Sequence, residues 1–494
     1  MEQAPVFIIL FPFFGAIFVG LVAMVNPRLS FPLTALALAG SLTAAFATMS
    51  QVLVGGPLSY HLGGWLPPRG IEFAIDSLNI LVAEVIIVVA ALTAISAVDR
   101  IREEFPARYP YYYSLYLLHV TGLLGMTLTG DAFNLYVFLE VSALTTYALI
   151  ALGGKRALLG TFNYIMVGTI GATFYLLGVG YLYAKTGTLN MADLANILPS
   201  LFDSGTVLVA FCLILTGVWI KMAFFPMHGW LPNAYSYAPT TTSCLVAPLA
   251  TKVSVYIMIR MMFGVFGAEY VFTMLDWNSI VVGLAAISIL AGSIFALAQR
   301  NLRKMLSYVI VAEVGYMVGG VWLANANGIA GASFHILADA MMTVALFLFV
   351  TIVVTKTGGE SFDNLKGLFA KMPYTMAAFL IAACSMIGVP PTCGFFSKWY
   401  LISGALEAGE YIYLIALLVS SLVNAVLFFR IIEHSYFSGD DHAQHDDGGH
   451  HAVTIDEAPA VMLVPLWVAS LSLLVIGIWS QTIMQKLIFP FVPV

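Results

Sequence analysis

Three charged side chains lie inside stretches of the sequence that are otherwise apolar. Glu140 stands in LYVFLEVSAL, Lys221 in VWIKMAFFP and Lys398 in GFFSKWYLI. A charged side chain at the centre of a lipid bilayer costs about 2.5–3.5 kcal/mol on insertion scales, so residues of this kind usually serve a function. A Glu–Lys pair can exchange a proton when the distance between its two groups changes. These residues therefore indicate a path for protons or cations.

A second group of ionisable residues is predicted to continue this path. Lys252, in LATKVSVY, lies in the middle of another apolar run and is interpreted as a proton relay. His335 and Asp339 are four positions apart, so on a helix they share one face. Glu313 lies in the preceding apolar run. The sequence therefore predicts a polar node of these three residues between Lys252 and Lys398.

Four other polar residues stand in or beside apolar runs. Asp131 follows a glycine at a predicted helix boundary, where an aspartate typically caps the helix N-terminus. Arg260 shares a helix face with Lys252 and is predicted to mark the end of that helix, with its guanidinium group extended to the membrane surface. Glu84 and His119 are peripheral to the pattern, and each is interpreted either as part of a path or as a contact with another subunit.

The composition excludes a water-soluble protein. Of the 494 residues, 61% are hydrophobic and 9% are charged, whereas an ordinary soluble domain carries about 25% charged residues. Apolar runs alternate with short polar breaks along nearly the whole chain. Since a span needs about 20 apolar residues, we predict an all-α polytopic membrane protein of about fourteen transmembrane helices. The four cysteines form no metal-binding spacing and are interpreted as small buried apolar residues.

The positions of lysine and arginine predict the orientation of the chain. If the N-terminus lies outside, alternate loops fall on the cytoplasmic side, and most positive residues lie in those loops. This bias agrees with the positive-inside rule, so both termini are predicted to lie on the outer side of the membrane. The predicted cytoplasmic residues are Arg28, Arg100, Arg102, Arg108, Lys155, Arg156, Arg300, Arg303, Lys304, Lys356, Lys366, Lys371 and Arg430.

Two stretches combine a buried lysine with proline. Pro226 follows Lys221, and the Pro390–Pro391 pair precedes Lys398. Proline breaks a helix, and a broken helix is tolerated in a membrane where it lines a polar cavity. Interrupted helices at equivalent places in two halves of a transporter point to its ion site. His228 follows the first break, and it could either relay a proton or bond the carbonyl groups that the break frees; the sequence leaves both open.

The two breaks indicate an internal repeat. Residues 111–264 and 277–432 are each predicted to form five helices with the broken helix in an equivalent place, and an odd number of helices makes the two repeats inverted. The stretch GGWLPPRGIEFAID, before the third helix, predicts a short hairpin. The other segments are predicted to be three N-terminal helices (1–110), a His/Asp-rich cytoplasmic loop (433–458) and a C-terminal helix (459–494).

The predicted loop 433–458 has an unusual composition. Its histidines stand among acidic residues, and such a tract could bind a metal ion. The interpretation that we favour is a solvated cytoplasmic loop without a fixed structure. The histidines are His434, His442, His445, His450 and His451.

Several longer strings resemble a known family. They are LTGDAFNLYVFLEVSALTTYALIALGG, TGTLNMADLA, VWIKMAFFPMHGWLPNAYSYAPTTTSCLVAPLATKVSVYIMIR, RNLRKMLSYVIVAEVGYM and GVPPTCGFFSKWYL. They resemble the large antiporter-like subunits, which comprise the A and D subunits of Mrp-type multisubunit sodium/proton antiporters and the related proton-pumping subunits of respiratory complex I and membrane-bound hydrogenases. The match covers most of residues 70–432 and is most similar to the Mrp D subunits.

The resemblance implies roles for individual residues. It implies two inverted five-helix repeats and a polar axis at the middle of the membrane. Glu140 corresponds to the key glutamate of the family, and Lys221 and Lys398 correspond to the lysines of the two broken helices. Lys252 corresponds to the lysine of the next helix, and His335 to the histidine of the central helix.

The chain departs from the family pattern at the centre of this axis. The family usually has a second histidine and a lysine where this chain has Asp339 and Thr343, and an uncharged polar residue where it has Glu313. Either the proton route differs here, or Glu313, Asp339 and Thr343 bind a cation such as Na⁺. Carboxylate and hydroxyl oxygens suit a hard cation of this kind.

We therefore predict a proton-translocating subunit of a multisubunit monovalent-cation (Na⁺)/proton antiporter in the bacterial inner (plasma) membrane. Protons would move through the buried Glu, Lys and His residues, and partner subunits would complete the ion paths. The first alternative is a proton-pumping membrane subunit of a redox-driven complex related to complex I or a hydrogenase. The second is a scaffold without transport, an alternative that the loss of lysine at Thr343 supports and the presence of Glu140, Lys221 and Lys398 opposes.

The sequence predicts an ion-transporter subunit rather than an enzyme. It holds no nucleotide, flavin, haem or iron–sulfur motif, so no cofactor is predicted and any redox chemistry lies in another chain.

Overall fold

A computed structural model describes residues 3–437 and 456–492. These residues form a helical bundle, as predicted, with one antiparallel hairpin of β1 (Leu58–His61) and β2 (Glu72–Ile75) at the predicted place. The helices are α1 (Ala4–Ala23), α2 (Ser30–Gly55), α3 (Ser77–Ser96), α4 (Val98–Glu104), α5 (Tyr109–Leu128), α6 (Ala132–Ala151), α7 (Lys155–Thr186), α8 (Met191–Ile197), α9 (Gly205–Met222), α10 (Leu231–Tyr237), α11 (Thr240–Met261), α12 (Asn278–Leu297), α13 (Leu302–Trp322), α14 (Ala326–Thr357), α15 (Leu368–Lys371), α16 (Pro373–Ile387), α17 (Cys393–Ala408), α18 (Tyr411–Phe437), α19 (Ala460–Ile478) and α20 (Ser480–Ile483).

The chain is a polytopic membrane protein. Within residues 3–437 and 456–492, 11 helices are long and apolar enough to cross a membrane, or up to 12 if a bent pair near α16 counts as one span. The predicted number of about fourteen is therefore not confirmed. The additional predicted spans correspond to α5, which begins with a tyrosine-rich stretch, and to the two interrupted helices, whose pieces are short.

Both predicted helix breaks are present. The first separates α9 from α10, and Ala223 at the end of α9 has a left-handed backbone with φ 58°. The second separates α16 from α17, and Gly388 at the end of α16 has φ 96°. A positive φ ends a helix because the following residues cannot continue its hydrogen-bond pattern. Each break lies beside one of the lysines that the sequence singles out, Lys221 and Lys398.

Two small bridges occur at matching places in the two halves of the chain. Asp131 pairs with Asn190, and Asn301 pairs with Ser361, each as an isolated antiparallel bridge. Asp131 and Asn301 also precede the second helix of their series and cap it, because each side chain accepts a bond from a backbone amide three residues later. The predicted N-cap at Asp131 is confirmed. The same local design therefore occurs in both series of helices, α5–α11 and α12–α18, where the sequence predicts the two five-helix repeats.

The centre of the bundle is α14. Every residue in its most apolar window is buried, and almost all of those in α11 and α13 are buried as well. These three helices pack against each other, and they carry the predicted relay lysine and the predicted polar node. A helix that is buried on all sides can hold charge only if that charge is paired inside the protein.

Arg260 lies where the sequence predicts it, at the end of α11. The helix ends one residue later, at Met261, and the guanidinium group is paired. It is 2.5 Å from the carboxylate of Asp76, which caps α3 directly after the β-hairpin. Asp76 is thus a half-buried counter-ion directly after the hairpin, and Arg260 ties α11 to the start of α3.

The predicted His/Asp-rich loop lies largely outside the described residues. This applies to His442, His445, His450 and His451, so the metal-binding alternative stays untested. His434 belongs to α18, where its Nδ1 is 2.9 Å from the carbonyl oxygen of Arg430.

Candidate functional site

The first pair is Glu140 with Lys221. Glu140 lies in the middle of α6, and Lys221 lies one residue before the end of α9. The lysine Nζ is 3.9 Å from the glutamate Oε1, a distance too long for a hydrogen bond. Lys221 is 7% exposed and Glu140 is 29% exposed. Since neither of these two atoms has a hydrogen-bond partner among the described residues, the pair is loose and its separation can change.

The second pair lies at the centre of the bundle. Lys252 Nζ is 2.9 Å from Asp339 Oδ2, and the two side chains are 1% and 0% exposed. The Thr343 hydroxyl, one turn along α14, donates to the other Asp339 oxygen at 2.8 Å. Lys252 is also 3.4 Å from the Thr343 hydroxyl and from the Ala247 carbonyl oxygen. The departure from the family pattern therefore places the carboxylate of Asp339 directly against the relay lysine.

The third pair joins α13 to α14. His335 Nε2 is 2.6 Å from Glu313 Oε2, and both side chains are fully buried. The other ring nitrogen, Nδ1, is 2.9 Å from the hydroxyl oxygen of Ser397 on α17. Asn424 on α18 donates a long bond of 3.5 Å to Glu313 Oε1. His335 therefore connects a carboxylate on one side to the residue that precedes Lys398 on the other.

Lys398 is held by the second helix break. Its ammonium group donates to the carbonyl oxygens of Met386 at 2.7 Å and Ile387 at 3.3 Å, which α16 leaves free where it ends. It also donates to Ser421 at 3.2 Å and lies 5.4 Å from the ring centre of Tyr316. In residues 3–437 and 456–492 it forms no ion pair within 4 Å. Backbone carbonyls and an aromatic ring stabilise this cation in place of a carboxylate.

His228 lies beside the first break but in aromatic surroundings. Its ring centre is 5.2 Å from that of Phe225, 6.0 Å from that of Phe295 and 6.4 Å from that of Tyr308. Phe295 and Tyr308 belong to α12 and α13, so the ring lies between the two series of helices. These contacts favour neither interpretation of His228, so a proton relay and a bond to the freed carbonyl groups both stay predictions.

The three residues proposed for a sodium site do not converge. Asp339 and Thr343 are in contact, but Asp339 is paired with Lys252 and Glu313 is paired with His335. In the part of the chain that the structure describes, no three His, Cys, Asp or Glu residues are grouped as metal ligands. A cation at Asp339 would have to displace the lysine, so the sodium site stays a prediction that this arrangement does not favour.

The ionisable pairs form an interrupted polar line through the bundle, because within residues 3–437 and 456–492 no hydrogen bond joins Lys221 to Lys252 or Asp339 to His335. Asp339 and His335 are one turn apart on α14, and Ser397 links His335 to Lys398. A cavity of about 30 Å³ touches Lys221, and its wall includes Ala250 and Ser254, which flank Lys252 on α11. A proton can move along such a line when neighbouring groups exchange it and the charge of each pair alternates.

Sequence reasoning missed the neutral members of this line. Ser397, Ser421, Asn424 and Tyr316 carry no charge, and such residues are common in membrane helices, so their type gave no signal. Every residue of the chain has a backbone carbonyl oxygen, so the sequence could not single out the two that accept bonds from Lys398. One cue was present, because the Pro390–Pro391 pair predicts free carbonyl groups just before it.

Comparison with known families identifies the relationship. The profile of the family described as NADH:quinone oxidoreductase/Mrp antiporter, TM, matches residues 129–424. This range is more than half of the chain, and it contains the three ionisable pairs and Lys398. The chain belongs to this family. It is therefore an antiporter-like membrane subunit of the kind that Mrp antiporters and complex I share.

Individual relatives come from both branches of the family. The N subunit of the NADH-quinone oxidoreductase of Desulforudis audaxviator is 43% identical over 98% of this chain and 97% of its own length. The D subunit of the Na(+)/H(+) antiporter of Bacillus subtilis is 33% identical over 79% of this chain and 78% of its own length. The predicted resemblance to the Mrp D subunits is confirmed.

Solved structures show the same fold. A chain of the Mrp complex from Dietzia matches with a TM-score of 0.88 and 25% identity, covering 99% of this chain and 97% of that one. A chain of the membrane-bound sulfane sulfur reductase, an archaeal respiratory membrane complex, matches with a TM-score of 0.87 and 28% identity over the same shares. Both relatives are subunits of multisubunit membrane complexes, which agrees with a hetero-oligomeric assembly for this chain.

Proposed function

We propose that this chain is the proton-translocating subunit of a multisubunit monovalent-cation (Na⁺)/proton antiporter. The observation that carries the proposal is the polar line from Glu140–Lys221 through Lys252–Asp339 and Glu313–His335 to Lys398. Packing alone does not explain this many ionisable residues in membrane helices. A charge inside a membrane costs free energy, and such residues usually mark a path for ions or protons. Partner subunits of the complex would complete the route to both membrane surfaces.

The Glu140–Lys221 pair provides the proton-transfer step that a conformational change can drive. When Lys221 is close to Glu140, the carboxylate stabilises the ammonium form, and when the two separate, burial favours the neutral amine. Their separation of 3.9 Å is already longer than a direct bond. A small shift of α9 at its break would therefore change the charge state of Lys221 and pass a proton toward the pair at the bundle centre.

The proposal also includes two functional units and an orientation of the chain in the membrane. Residues 111–264 and 277–432 would each contribute one half of the route, with Lys252–Asp339 between them. The predicted positive-inside distribution would place both termini on the outer face of the plasma membrane. The sodium site at Glu313, Asp339 and Thr343 remains part of the antiporter hypothesis only if Na⁺ can displace Lys252.

A redox-driven complex is the second candidate. It is favoured by the 43% identity, over nearly the whole chain, to a relative named as the N subunit of an NADH-quinone oxidoreductase. In that case the same proton line would be driven by electron transfer in other subunits. Purification of the native complex with identification of its subunits separates the two, because only the redox complex would contain iron–sulfur or nickel subunits.

Substitution of Glu140 tests the proposed proton path. In the assembled complex, Glu140→Gln should reduce proton translocation into vesicles by about 10²-fold or more, the range expected when a positioned proton-transfer group is lost. Glu103→Gln is the matched control, since it is the same change at a side chain of α4 that is 70% exposed, and it should leave the rate unchanged. Wild-type transport by a normally assembled Glu140→Gln complex would rule out the path.

A further inference from the structure

His119 is a buried histidine that the proposed path does not use. It lies on α5 with no exposed surface. Its Nδ1 is 3.0 Å from the Thr146 hydroxyl oxygen and 3.3 Å from both the hydroxyl and the carbonyl oxygens of Ser142. Its Nε2 is buried and has no hydrogen-bond partner among the described residues. A purely structural histidine usually has both nitrogens satisfied, so this arrangement calls for another explanation.

The two residues that contact His119 also line the cavity beside Lys221. This cavity of about 30 Å³ has polar wall groups from Ser142, Thr146, Lys221 and Ser254. A polar cavity of about 10–15 Å³ already holds a water molecule when it offers two to four polar partners. Lys221 Nζ has no hydrogen-bond partner in the described ranges, so it can donate into this space.

We propose that His119 is a second proton acceptor for Lys221, reached through water in this cavity and the Thr146 hydroxyl. The inference rests on the proposed function, because it adds a branch to that proton path. The Lys221 ammonium group gives a proton to water, and the water passes one to the Thr146 oxygen. The Thr146 hydroxyl, which donates to the Ser142 carbonyl oxygen at 2.8 Å in the structure, turns to His119 and gives its own proton to the lone pair of Nδ1.

The transfer conserves charge and gives the imidazolium one hydrogen-bond partner. Lys221 becomes a neutral amine and His119 becomes an imidazolium, so the net charge of the group is unchanged. The new Nδ1–H faces the Ser142 carbonyl oxygen, which can accept a bond from it. With this branch, one proton can reside either on Lys221 or on His119. Lys221 can therefore become neutral, and ready for the next proton, before the first has moved on to Lys252.

Three single substitutions separate this role from a structural one. His119→Asn places an amide nitrogen where Nδ1 was, so it keeps the bond to Ser142 but cannot take up a proton. Thr146→Val removes the bridging hydroxyl at nearly constant size. Thr145→Val is the matched control, because its hydroxyl bonds the carbonyl oxygens of Val141 and Ser142 instead of His119. Proton translocation is measured with the whole purified complex in lipid vesicles.

We expect His119→Asn and Thr146→Val each to slow proton translocation by about 10-fold to 100-fold. The double variant should be no slower than either single variant, since both interrupt one branch. Thr145→Val should keep the wild-type rate.

Wild-type rates for normally assembled His119→Asn or Thr146→Val would overturn the inference, and if His119→Asn fails to assemble, the Thr146→Val rate decides. Full transport by Glu140→Gln would instead refute the main path, so the two failures are distinguishable.

Discussion

The charge of Lys252 is balanced by a single carboxylate at the centre of the bundle. Neither Lys252 nor Asp339 has appreciable exposed surface, and they are 2.9 Å apart. Removing one partner of a buried ion pair typically costs about 3–5 kcal/mol, because the other charge remains without compensation. Replacing both partners with apolar residues of similar size is often neutral or stabilising. The presence of this buried pair is therefore weak evidence for a role in folding stability.

This balance gives a stability prediction at the scale of single residues. Asp339→Leu alone should lower the free energy of unfolding by about 3–5 kcal/mol, with a matching loss of assembled complex. Adding Lys252→Met should restore most of that stability, since no buried charge is left. Thermal unfolding of the purified complexes checks this. A single variant as stable as the wild type would mean that Lys252 is not paired with Asp339 as the structure shows.

The residue types were predictable, whereas most of their partners were not. Glu140, Lys221 and Lys398 stand out because charge is rare in apolar runs. The second contact of Lys252, Thr343, lies 91 positions away along the chain. Such contacts depend on how helices pack, and no local pattern encodes them. Arg260 shows the same limit, because its partner in the hairpin region lies 184 positions away.

The interrupted helices depend on close packing by their neighbours. Helix α19 passes the second break so closely that a Cβ atom added at Gly477 would lie 2.1 Å from the Pro391 carbonyl oxygen. Glycine is needed here because of this backbone approach. The C-terminal helix thus holds the loop whose preceding carbonyl groups bind Lys398.

A glycine substitution tests this support at the scale of elements. Gly477→Ala should lower both the thermal stability of the complex and its proton translocation, because the new methyl group pushes the break away from Lys398. Ordinarily the change would favour a helix by about 0.5–1 kcal/mol. Gly180→Ala in α7 is the control, since no described atom lies within 4 Å of its added Cβ, and it should be neutral or stabilising. Equal behaviour of the two variants would show that α19 does not support the break.

The helix breaks and the hairpin were more predictable from the sequence than the number of membrane spans. Proline beside a buried lysine marked both breaks correctly, because proline removes a backbone donor wherever it stands. The Gly/Pro-rich stretch before α3 marked the hairpin for a similar reason. The number of about fourteen spans is not confirmed. The pieces of the two broken helices are too short, and the tyrosine-rich α5 is too polar, to be recognised by length and apolar character alone.

At the scale of the whole molecule, the two series of helices, α5–α11 and α12–α18, carry one line of ionisable residues. The most deeply buried helices, α11, α13 and α14, carry the centre of that line. Its two ends lie at the interrupted helices α9–α10 and α16–α17. Relatives with this fold are subunits of larger complexes, and in our account the partner subunits connect the line to ions at the membrane surfaces.

The most direct test of this account uses the double variant Lys252→Met with Asp339→Leu. The paired replacement leaves no buried charge, so the complex should assemble in normal amounts. Because the line between the two helix series is then broken, proton translocation by that complex in vesicles should fall by at least about 10²-fold. Normal assembly together with wild-type proton translocation would contradict the account, since protons would then cross without the central pair.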